Sequence, residues 1–86
     1  MITQSQYDEI TRYKELIENC SSNKEARGYL EKLKFLSNYV EGHARNILSE
    51  LCSSLNEYCK RGSDKEHWHR FVLMDYSKLE RYIESD

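Results

Sequence analysis

The chain of 86 residues contains no proline and three glycines. Sandwiches and barrels of that length turn about every ten residues and draw on both residue types, so an all-β fold is excluded at the outset. Long apolar runs are missing as well. The longest is Phe71-Val72-Leu73-Met74, far short of the ~20 residues that span a bilayer as a helix, and no membrane association is expected. Apolar side chains are scarce throughout. Counting glycine but not tyrosine, 29 of 86 residues are apolar, against roughly 45–50% in a typical domain. Small domains bury proportionately little surface in any case, so a thin core is expected. Charge of one sign is not in excess either. Thirteen Lys and Arg stand against fifteen Asp and Glu, a formal net charge of −2, which argues against a dedicated nucleic-acid footprint.

Cysteine is sparse and odd in number. Cys20, Cys52 and Cys59 form no Cys-x2-Cys pair and cannot close a complete intrachain disulfide framework, which favours reduced thiols. The first residues, Met1-Ile2-Thr3-Gln4-Ser5-Gln6, lack the basic start and apolar run of a secretory signal. A cytoplasmic location is expected.

What the chain does contain is helical spacing. Ile10, Tyr13, Ile17 and Cys20 step by three and four residues after Ser5-Gln6-Tyr7-Asp8, which resembles a capping arrangement; that helix opens at Thr3 or Ser5 and ends near Cys20-Ser21. Ser22-Asn23-Lys24-Glu25 has the form of a capping box and starts a second helix. Behind it runs the stripe Ala26, Leu30, Leu33, Leu36, Val40, Ala44, Ile47, Leu51, Leu55 and Tyr58, with a mean step of about 3.6 residues. The stripe stops at Lys60-Arg61-Gly62, and Ser63-Asp64-Lys65-Glu66 repeats the box ahead of a last helix. There Trp68, Phe71/Val72, Tyr76, Leu79 and Tyr82/Ile83 mark the inner face.

Gly42 decides the architecture. The apolar stripe keeps its phase across it, no capping box follows it, and a glycine inside a helix costs only about 1 kcal/mol relative to alanine. The favoured expectation is therefore an all-α fold of three antiparallel helices with a long central one, roughly 23–60. A break at Gly42 would give a four-helix bundle instead. The three-helix layer covers one side of the long helix only, so a homodimer is expected.

A second row on the middle segment points to a partner. Phe35, Tyr39, Gly42, Asn46, Ser49, Ser53 and Asn56 lie about 200° from the apolar stripe and carry no charge. Small uncharged residues admit a neighbouring helix closely, and aromatics among them serve as anchors. Phe71-Val72-Leu73-Met74 covers about 300° of a helix, so either Leu73 or Met74 is exposed or buried by a second chain, or the stretch sits centrally between two other helices. Tyr29 and Tyr39 are further contact candidates. The reading is a small non-enzymatic protein-binding module, an adaptor, inhibitor or regulator, that also self-associates.

The competing reading is a helical nucleic-acid-binding regulator using Lys60, Arg61, Lys65, His67, His69 and Arg70, a segment diluted by Glu57, Asp64 and Glu66. Catalysis and cofactors are not expected. His67 and His69 are two apart and point to different sides of a helix, and no His-x3-His occurs. No glycine-rich turn leads into a helix to hold phosphate, and no spacing combines nucleophile, base and orienting group.

Overall fold

A computed structural model describes residues 2–60 and 62–83. Its α-helices are α1 (Gln4–Glu18), α2 (Asn23–Leu36), α3 (His43–Cys59) and α4 (Lys65–Glu80), with a 3-10 turn at Ser37–Tyr39. Among the described residues the protein is all-helical, with four α-helices, and the long central helix does not form. After the 3-10 turn, Val40 is extended (φ −110°, ψ 134°) and Gly42 takes φ 73°, ψ −149°. The chain breaks where the alternative reading placed it.

Phase alone could not reveal this break. Ala26, Leu30, Leu33, Val40, Ala44, Leu51 and Leu55 are all buried, so the stripe is real on both sides of the turn. A straight 23–60 helix could not bring the two halves of that stripe against each other. Folding back at Gly42 sets α3 against α2, and each aliphatic side chain so buried contributes about 1.5–3 kcal/mol. That outweighs the few helical hydrogen bonds given up, since each is worth only about 1 kcal/mol net.

The helix starts follow capping chemistry in a register slightly different from the expected one. Thr3, not Ser5, caps α1, in a reciprocal box with Gln6. Ser22 accepts from the Glu25 amide as expected. At α4 the cap is Asp64, which accepts from the His67 amide, while Ser63 donates back to the Tyr58 carbonyl. Helix α1 ends at Glu18, ahead of Cys20.

Sequential helices pack as neighbours, most extensively α3 with α4. Polar and aromatic contacts join α1 to α4. Tyr7 stacks on Tyr76 at 5.2 Å and donates to Glu80 at 3.0 Å, Thr11 is hydrogen-bonded to Tyr76, and His69 meets Glu18 at 2.5 Å. The Ile2 amide donates to the Tyr82 carbonyl at 3.0 Å and ties the N-terminal residues to the end of α4. Burial, followed by the hydrogen bonds to Tyr76 and Glu80, pushes the Tyr7 hydroxyl well above its ordinary pKa. The radius of gyration is 12.3 Å, close to the roughly 12 Å of a globular chain of this length. The thin layer expected of three helices is thus replaced by a core that the chain closes itself.

Candidate functional site

Breaking the middle helix also breaks the uncharged row. Phe35 and Tyr39 stay with α2 and the 3-10 turn. Their rings meet edge to face at 5.5 Å, and each is 62% exposed. They border a groove of about 510 Å³ that also takes in Glu9 and Tyr13 of α1 and Glu31 and Lys32 of α2. Lys32 lies 6.0 Å from the Tyr13 ring, and Tyr29 packs on that same ring at 6.2 Å, so Tyr29 is half-buried rather than a free contact residue.

Gly42 is exposed in the turn, and Asn46 is exposed early in α3. Ser49, Ser53 and Asn56 remain together. With Lys34, Ser37 and Cys52 they line a shallow groove of about 230 Å³ between α2 and α3. Ser49 and Ser53 also border a second groove, of about 460 Å³, between α3 and α4. There they lie beside Phe71 and Met74, so part of the uncharged row joins part of the Phe71–Met74 run. Phe71, Leu73 and Met74 are 37%, 44% and 46% exposed. The expectation for Leu73 and Met74 holds as far as exposure goes. Phe71, expected on the inner face, lies outside it; Val72 takes the core position.

The floor of the α3/α4 groove holds a polar pair that the sequence reading missed. Asp75 is buried and accepts from Ser54 Oγ at 3.1 Å. Burial raises the pKa of its carboxyl, opposed by the Ser54 hydrogen bond, with Glu50 raising it further and Lys78 lowering it. The only trace in the sequence is that Asp75 falls three residues after Val72 and four before Leu79, on the core side of α4.

The basic segment is largely occupied with the chain itself. Lys60 pairs with Glu57 at 2.7 Å. Lys65 donates to the Tyr58 carbonyl at 2.7 Å and sits 4.5 Å from the Tyr58 ring centre. His69 is held by Glu18. His67 packs edge to face on Phe71 at 5.1 Å, and Arg70 is exposed beside it. Arg61 lies outside the described residues.

All three cysteines are free thiols. Cys52 and Cys59 are buried, as small apolar side chains beside the stripe should be. Desolvation pushes the Cys52 thiol up to about 11. Among the described residues, no group of three His, Cys, Asp or Glu is placed to hold a metal ion, and no helix is long and apolar enough to cross a membrane. No protein-family model, curated protein or solved structure matches the chain.

Proposed function

We propose that this chain is a non-enzymatic protein-binding module, an adaptor, inhibitor or regulator that works by occupying a partner protein's surface. One observation carries the reading: Phe35 and Tyr39, both 62% exposed, are set edge to face on the rim of a groove of about 510 Å³. Two aromatic rings fixed against each other lose little side-chain entropy on binding, which is what an interface anchor needs. The groove beneath them is apolar in Tyr13 and Leu36 and charged at Glu9, Glu31 and Lys32, an apolar centre with a polar rim.

Self-association and a cytoplasmic location with reduced thiols belong to the same reading. The nucleic-acid alternative draws less support, because Lys60, Lys65 and His69 are engaged within the chain. A photo-reactive phenylalanine analogue at position 39, introduced in the native cell, tests the proposal. The expected result is a discrete protein adduct that disappears when Phe35→Ser is added and is absent when the probe sits at the exposed Lys24. Adducts of equal yield at positions 24 and 39, or none at either, would refute it.

A further inference from the structure

The α3/α4 face has the form of one half of a two-fold interface. Phe71 and Met74, both exposed, stand along the α4 side of the groove, and opposite them α3 presents the small side chains of Ser49, Ser53 and Ser54 beside Glu50. An apolar row beside a groove on one face is self-complementary: turned by a two-fold axis, each row enters the other copy's groove. The charges obey the same rule. Glu50 borders the groove from α3 and Lys78 from α4, so the rotation brings Glu50 of each copy toward Lys78 of the other.

We infer that this face binds a second copy of this chain, with the two α4 helices lying in each other's α3/α4 grooves. The inference rests on the reading of the chain as a protein-contact module and assigns the self-association to a face separate from the Phe35/Tyr39 groove. The reason for a dimer is no longer a deficient core. It is an exposed apolar row with a matching groove and matching charges on the same surface. A standard interface takes about 800 Å² from each partner, while the molecule measures 41 × 22 × 17 Å in its principal extents. Two helices on one side supply no more than that, the area of a standard interface and not that of a large obligate one.

Sedimentation equilibrium from 5 to about 500 µM tests it on the intact chain. The wild type is expected to pass from 10.3 kDa to twice that mass. Ser49→Glu with Ser53→Glu, both at exposed positions, should weaken association at least tenfold with an unchanged circular dichroism spectrum. Glu50→Lys alone and Lys78→Glu alone should each weaken it, because like charges then face one another. An equimolar mixture of those two variants should dimerise again, since every facing pair is then opposite in sign. A wild type that stays monomeric at 500 µM overturns the inference, as does a dimer indifferent to the serine variants or a mixture that fails to associate. The test is separable from that of the proposed function: a monomer that still gives the adduct at position 39 loses only the dimer, and a dimer without the adduct loses only the partner groove.

Discussion

Replacing Gly42 by alanine separates the broken chain from a continuous helix by the sign of the effect. At φ 73°, ψ −149° an L-residue is strained whatever its surroundings, and a Cβ at this position meets nothing within 4 Å. The penalty is therefore purely a backbone one, about 1–3 kcal/mol for a residue held in a glycine-only region. For a domain of this size each kcal/mol lowers Tm by roughly 4–8 °C, so a 2 kcal/mol penalty corresponds to roughly 8–16 °C. Were residue 42 inside a continuous helix, the same substitution would stabilise by about 1 kcal/mol. The mirror image of the Gly42 conformation is φ −73°, ψ 149°, which is polyproline II. D-alanine at position 42, placed by chemical synthesis, should consequently stabilise the fold by about 0.4–1 kcal/mol by restricting the unfolded chain. Thermal melts followed at 222 nm decide the matter. A higher Tm for Gly42→Ala, or a lower one for the D-residue, would refute the reasoning.

Two further predictions concern buried groups. Because burial raises the folded-state pKa of Asp75, the folded chain holds that proton more tightly than the unfolded one. The resulting stabilisation is complete below the ordinary value of 3.8 and is lost as pH rises through the raised folded value. Asp75→Asn keeps an acceptor for Ser54 and removes the buried charge; it should melt higher than wild type at pH 7, with the difference closing toward pH 3.5. Equal differences at both pH values would contradict this. With a disulfide reagent at pH 8, the half-buried Cys20 should react in the native state, while Cys52 waits for unfolding. Equal rates for all three thiols without denaturant would count against the packing around α3.

Much of the fold is written in residue order, because helix formation here is local. The stripes, the Ser22 cap and the stop before Gly62 all follow from spacing and terminal chemistry within a few residues. The break at Gly42 does not. Val40 and Ala44 keep the helical phase across it, and the decision rests on what α3 gains by packing on α2, a contact between residues distant in the chain. The same holds for the site. Ser49, Ser53 and Met74 could be singled out individually, yet only the packing of α3 on α4 brings them to one groove. The break also parts Phe35 and Tyr39 from the serines, turning one expected face into two. Asp75 was concealed by type, since a carboxylate is rarely assigned to a core until its Ser54 partner is in view. The basic segment was legible as composition, but its engagement by Glu57, Tyr58 and Glu18 was not, because two of those partners lie on other helices.

The central claim is that the exposed aromatic and apolar rows are contact surfaces. Hydroxyl-radical footprinting of the chain inside its own cell, compared with the purified chain at 1 µM, tests it most directly. The account predicts that labelling of Phe35, Tyr39, Phe71 and Met74 falls several-fold in the cell, while half-buried Tyr29 and Tyr58 change little. Equal labelling of all six side chains in the two settings would contradict it.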